Sequence, residues 1–269
     1  MSLPIVTDLY TYPLKSARPL IHQQVDILST GLEGDRTFVV MDQQGNILTA
    51  REYPKLLNID AVVAIGVLNL LIEGVSLAIS LQEIHAIVKE GVLFGTPVGG
   101  RLLKGDYQSQ LSDYLGISCS ILVVGDAFLR TITSRQSEAT KTQINYTDAA
   151  PILLTTQASL VDLNSRLAAP ISMNRFRPNI IISGGKAFEE DDWRYVKIGS
   201  CEFEVSHLCP RCILTTIDPE NPQKGVGVEP LKTLSIYRKT PSNKINFGIY
   251  LIPIKLGTIA IEEPLMVIN

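Results

Sequence analysis

The run AVVAIGVLNLLIEGVSLAIS, residues 61–80, decides the fold class. It is apolar and long enough to cross a bilayer as one helix. Glu73 and two glycines interrupt it at strand-length intervals, and apolar positions alternate between those breaks. Strands over 60–65, 68–73 and 75–81, turning near Gly66 and at Glu73-Gly74, account for the pattern. The reading is a soluble β-meander. The same signature continues outward in both directions, in RTFVVMD (36–42), NILTARE (46–52), CSILVVG (119–125), NIIISGG (179–185), YVKIGSCEFEVSHL (195–208), CILTTID (212–218) and IAIEEPLMVI (259–268). These runs are rich in Val, Ile, Thr and Phe and are bounded by Gly, Asn, Asp or Pro. The expected class is mainly β (α+β).

Helices are few. Residues 157–167 place Leu160, Leu163 and Leu167 on one face behind a Thr156 cap. Residues 230–238 begin with Pro230 in the first turn, and 107–116 end at Gly116. The stretch TSRQSEATKTQ (133–143) reads as a mobile linker between two halves, although a boundary near 100–105 fits as well; we adopt 1–100 and 101–269.

With 24 Lys and Arg against 27 Asp and Glu, the net charge is −3, which argues against a general nucleic-acid or membrane-surface binder. Any basic feature is local. The start MSLPIVTDLYTYPLK has no basic segment followed by an apolar block, so no secretory leader is expected. Four scattered cysteines, Cys119, Cys201, Cys209 and Cys212, do not make a disulfide framework and fit a reducing compartment. The expected location is the cytoplasm, without a membrane span.

Cys209 and Cys212 form a CxxC in SHLCPRCILTTIDPE (206–220). A structural zinc site needs about four ligands, and this pair can recruit only His207 and distant Cys201. A thioredoxin-like site needs a helix after the pair, whereas ILTTID reads as a strand. The remaining readings are two small buried side chains at a strand entrance, or a reactive thiol whose ionised form is favoured by Arg211. Arg175 and Arg177 in NRFRPNIIISGG (174–185) read as two guanidiniums on one side of an extended chain, suited to phosphate or carboxylate, or as a solvated pair bonded to the EEDD run at 189–192. Lys15 in YPLKS and Arg36 in GLEGDR each end a polar loop and read singly as surface charges.

Taken in order, YPLKS, GLEGDRTFVVMDQQGNILTAREYPKL, ASLVDLNSRL, NRFRPNIIISG, EEDDW, CPRCILTTIDPE and EPLKTLSIYR resemble the MOSC-domain reductases, the group of the mitochondrial amidoxime-reducing component and its bacterial relatives. The resemblance covers nearly the whole chain. It implies a MOSC-type β-barrel with peripheral helices, preceded by a smaller β-rich N-terminal subdomain, with a molybdenum cofactor (molybdopterin carrying Mo) between them. Cys212 matches the molybdenum ligand, and Cys209 a neighbour. Lys15, Ser16 and Arg36 match loops that reach the pterin phosphate. Arg177, with Arg175 as a companion, matches a block near the pterin, and Thr156 a helix start where backbone N–H groups can take an anion. Arg211 would hold the cofactor beside the metal, and Asp218 would handle protons or water.

The implied reaction is a detoxifying two-electron reduction of N-hydroxylated compounds, such as base analogues, hydroxylamines and amidoximes, to amines. Electrons would come from a separate donor protein of flavin, iron–sulfur or haem type. A carrier of molybdenum cofactor or of a persulfide on Cys212, without reductase activity, is the alternative. The chain departs from the family pattern at Pro210, where relatives often have Ser, and at its closing GTIAIEEPLMV (257–267). It also stops at Asn269, without the ferredoxin-like extension of some bacterial relatives, so iron–sulfur and flavin centres are expected on partners.

Overall fold

The computed structural model describes residues 3–82 and 84–268, so Met1, Ser2, Glu83 and Asn269 lie outside the described residues. The 61–80 run folds as the antiparallel strands Asp60–Ala64, Val67–Ile72 and Val75–Ser80. Their inner residues, among them Ala61, Leu68, Leu70, Ile72 and Leu77, share a core with the helix Tyr107–Leu115 and the strand Phe38–Asp42. Burial of one face explains why the apolar positions alternate. Among the described residues no helix is long and apolar enough to cross a membrane.

The largest sheet has eight strands, in the order Leu20–His22, Ile5–Thr11, Ile180–Ser183, Ile152–Thr156, Asn246–Lys255, Cys201–Pro210, Tyr195–Ile198 and Leu265–Ile268. One pair within it is parallel, Ile152–Thr156 with Ile180–Ser183. A parallel pair needs a crossover, and the helix Gln157–Asn164 supplies it. The strand Ile5–Thr11 inserts beside Ile180–Ser183, so the start of the chain is built into the sheet of the C-terminal half. A second sheet joins Phe38–Asp42, Cys119–Val123, Thr96–Leu103 and Ile84–Leu93. The protein is mainly β.

Three local expectations are corrected. CILTTID does not continue as a strand: Ile213–Thr216 is a single 3-10 turn. The hydroxyls of Thr215 and Thr216 donate back to the Cys212 and Ile213 carbonyls at 2.9 and 2.7 Å, and these local bonds override β-propensity. NILTARE makes isolated bridges at Asn46 and Ile47 instead of a strand. The stretch 133–143 is tied down at both ends by the hairpin Arg130–Thr133 and Lys141–Ile144, and Ser134 and Thr140 donate to the buried Glu204 carboxylate.

The crossover helix has the expected cap, Thr156 Oγ1 accepting from Ser159 N at 3.1 Å. Against this helix start lies Glu190, fully buried, accepting from Ser159 Oγ at 2.8 Å. Burial pushes the Glu190 carboxyl up to about 7. Between its ordinary value of 4.5 and 7 the folded chain holds a proton that the unfolded chain has released, so stability falls as pH rises through that window. The loss is about 3 kcal/mol at about 1.4 kcal/mol per pH unit. Glu190→Gln is therefore expected to flatten the pH dependence: relative to wild type its melting temperature should climb between about pH 5 and pH 8. A constant offset across that range would refute the assignment.

Candidate functional site

The register of two strands starts the site. Leu9 pairs with Ile180 in an antiparallel ladder, and continuing that register past the strand ends sets Tyr12 opposite Arg177. The Arg177 guanidinium lies 4.2 Å from the centre of the Tyr12 ring, and that of Arg36 lies 4.1 Å from it. Arg36 is brought there by the backbone bond from its N–H to Tyr12 O at 2.9 Å, and its Nη2 donates to Arg177 O at 3.2 Å. Buried Asp35 balances this pair: its carboxylate accepts from Tyr12 N at 2.8 Å and from Arg36 Nη1 at 2.5 Å.

Two guanidiniums on one ring repel, and both have lost water. For Arg36, burial opposes the charge most strongly, but Asp35, Tyr12 and Asp148 together hold the pKa above its usual value. Among the described residues no carboxylate is paired with Arg177. Burial first, then Arg36, pulls it down to about 10, and its Nη2 is buried without a hydrogen-bond partner.

Beside this pair, Lys15 Nζ donates to Tyr146 O at 2.7 Å and meets the carboxylate of Asp148. Burial lowers the Lys15 pKa against the pull of Asp148. The other oxygen of Asp148 lies 3.6 Å from Arg51 Nη2, and Arg51 stacks 3.9 Å from the centre of the Phe94 ring at a hairpin tip. Burial would raise the Asp148 carboxyl, but Lys15 and Arg51 hold it below the usual range. Its side chain remains 42 % exposed, because the cleft is open above it.

The CxxC forms the opposite wall. The strand Cys201–Pro210 ends in it, and the two thiols separate: Cys209 is buried, whereas Cys212 is partly exposed and lines the cleft. Burial pushes the Cys209 thiol up, and its sulfur accepts from Arg211 Nη1 at 2.7 Å. Arg211 Nη2 donates to Phe176 O at 2.5 Å, while its Nε has no partner. Tyr250, also in the wall, is held protonated well above its ordinary pKa by burial and by Cys209.

The resulting cavity is about 220 Å³, and its lining includes Lys15, Arg36, Arg51, Arg177 and Arg211 from both halves of the chain. Four lining residues other than glycine, Ser16, Arg36, Phe94 and Arg177, have positive φ, between 47° and 72°. Such backbone costs about 1–2 kcal/mol per residue and concentrates at functional sites. Five buried polar atoms of lining residues lack partners: Thr49 Oγ1, Arg51 Nε, Thr147 Oγ1, Arg177 Nη2 and Arg211 Nε. The guanidinium and ammonium groups of the lining suit an oxyanion with several acceptor oxygens. Among the described residues no cluster of three or more His, Cys, Asp or Glu is placed to hold a metal ion. A metal at Cys212 thus needs donors carried in by a ligand, and a phosphate-bearing dithiolene fits both requirements.

Of the residues singled out from the sequence, Lys15, Ser16, Arg36, Arg177, Arg211 and Cys212 line this cleft. Thr156, Arg175 and Asp218 do not. Thr156 is buried at the helix start against Glu190. Arg175 and Arg177 are not on one side of an extended chain: Met173–Phe176 is a 3-10 turn, and Arg177 at φ 53° reverses direction. Arg175 instead donates to Thr216 O at 3.1 Å and lies 3.5 Å from Asp218, clasping the far end of the turn that follows Cys212. Sequence reasoning missed Tyr12, Arg51, Phe94, Asp148 and Tyr250. Tyr12 opens the quoted YPLKS block and Arg51 lies inside the quoted TARE block, but Phe94, Asp148 and Tyr250 carry no local signal, because pairings distant in sequence bring them to the cleft.

Residues 3–118 match the MOSC N-terminal beta barrel domain, and residues 141–266 match the MOSC domain. Mitochondrial amidoxime-reducing component 1 of Mus musculus is 35 % identical over 272 residues, covering 96 % of this chain and 78 % of that one. Mitochondrial amidoxime reducing component 2 of Homo sapiens is 33 % identical over 277 residues, covering 96 % and 82 %. Component 1 of Xenopus laevis is 33 % identical over 282 residues, covering 97 % and 81 %. With both domain matches spanning the strands and loops that build the cleft, the chain belongs to the MOSC-domain family, alongside the amidoxime-reducing components.

Proposed function

We propose that the protein is a molybdenum-cofactor-dependent reductase of N-hydroxylated compounds, with the cofactor in this cleft. The observation that supports it most is the meeting of a partly exposed thiol, Cys212, with cations from both halves of the chain around unpaired buried polar atoms. Similarity to amidoxime-reducing components supplies the reaction class.

In this reading Cys212 is the protein's sulfur ligand, Lys15, Ser16 and Arg36 hold the phosphate end, and Arg177 and Arg211 take the remaining acceptors. Bound there, the cofactor would supply the two-electron couple for R–NHOH + 2e⁻ + 2H⁺ → R–NH2 + H2O. A separate protein of flavin, iron–sulfur or haem type provides the electrons, and the protein works in the cytoplasm.

The chain's own groups restrict where the protons come from. Among the described residues Asp148 is the one carboxyl in the lining, and its neighbours keep it ionised, so it accepts hydrogen bonds. Tyr250 is kept protonated and donates a hydrogen bond without releasing its proton. Asp218 is paired with Arg175 outside the lining, so its part is to fix the turn behind Cys212, a positioning role rather than the catalytic proton handling expected from the sequence. Protons therefore enter from water in the open cleft.

Purified from cells that make molybdopterin, wild type should contain near-stoichiometric molybdenum and consume a hydroxylamine when a reduced donor is supplied. Cys212→Ser should lose both. Wild type without molybdenum under those conditions would sink the reading, and molybdenum without turnover would identify a carrier. Arg177→Met, which keeps length and removes charge, should weaken cofactor retention about tenfold to a hundredfold, the worth of a charge-assisted hydrogen bond. Unchanged molybdenum content after extensive dialysis of this variant would remove Arg177 from the cofactor set.

A further inference from the structure

The two carboxylates that balance the cleft's cations differ in accessibility. Asp35 is 1 % exposed, and both its oxygens are used, by Tyr12 N and by Arg36. It is part of the frame. The Asp148 side chain is 42 % exposed, with one oxygen on Lys15 and the other 3.6 Å from Arg51. It bridges two cations as a phosphoryl group does, from a position that a ligand entering the cleft can reach.

Lys15 does not need Asp148 for placement, because Tyr146 O also receives its ammonium at 2.7 Å. Nor does the carboxylate complete the cradle. Thr49 Oγ1, Thr147 Oγ1 and Arg51 Nε stay unpaired with Asp148 in place. A carboxylate has two acceptor oxygens, and a phosphate offers more around one centre.

We infer that Asp148 is a built-in substitute anion: it neutralises Lys15 and Arg51 while the cleft is empty, and a phosphate-bearing ligand must displace it to bind. The inference rests on the proposed cofactor site and adds a residue that opposes binding there. Its effect is to keep a cationic cleft folded and closed to small adventitious anions, leaving access to ligands that also engage Arg36, Arg177 and Arg211.

The test uses cofactor-free protein, made in cells that do not synthesise molybdopterin, titrated with inorganic phosphate by calorimetry at fixed ionic strength. Asp148→Asn should bind phosphate about tenfold more tightly than wild type, as expected for removing one nearby charge in a solvated cleft. Adding Lys15→Met to it should abolish that gain. Asp148→Ser serves as a second variant if the amide perturbs folding, and should show the same gain. Phosphate affinity no higher than wild type in both variants would overturn the inference, and a weaker affinity would mean that Asp148 instead orients Lys15. The reductase reading fails separately, through absent molybdenum in cofactor-replete wild type, which leaves the phosphate result standing.

Discussion

Positive charge held out of water is the constraint around which the molecule is arranged. Lys15, Arg36, Arg51, Arg177 and Arg211 line one cleft of a chain whose net charge is −3. Asp35 and Asp148 compensate them only in part. Loss of water first, and neighbouring cations after it, draws Arg177 down to about 10 and lowers the pKa of Lys15. Groups in that state favour any anion that restores their partners, so the cleft is unfavourable alone and favourable when filled.

Tyr12 makes this crowding tolerable. Its ring receives two guanidiniums near 4 Å, and its hydroxyl is fixed by donation to Pro178 O at 3.0 Å. Cation–π contact offsets part of the repulsion at little conformational cost. Because Tyr12 follows an N-terminal strand and Arg177 precedes a C-terminal one, the same contact joins the two halves across the site. Positive φ at Ser16, Arg36 and Arg177 is tolerated because backbone bonds on either side of these turns, such as Lys15 N to Phe38 O at 2.8 Å, hold the chain in place.

The cysteine pair is asymmetric for a related reason. Cys209 ends a strand inside the sheet and gives its sulfur to Arg211, which fixes the guanidinium. Cys212 lies past the proline, where the chain leaves the sheet and turns, and it lines the cleft. Arg175 and Asp218 then secure the far end of that turn. A thiol presented on a turn braced at both ends suits single-point attachment of a group that brings its other donors with it.

Local chemistry in the sequence determined the strand-rich class, the meander at 61–80 and the three helices, because alternation, caps and turn residues act over a few positions. Family-like blocks singled out Cys212, Lys15, Arg36, Arg177 and Arg211 without any geometry, and all five line the cleft. The tertiary structure decided which cations converge. Arg175 and Arg177 are two residues apart, yet one clasps a turn and the other lines the cleft, because the chain leaves a 3-10 turn and reverses at Arg177, itself left-handed. Tyr12, Asp148 and Tyr250 became part of the site through pairings across the fold, such as the 133 positions between Lys15 and Asp148. Burial and charge surplus belong to the assembled cleft and not to any segment, so they emerge only when the sheets close around it.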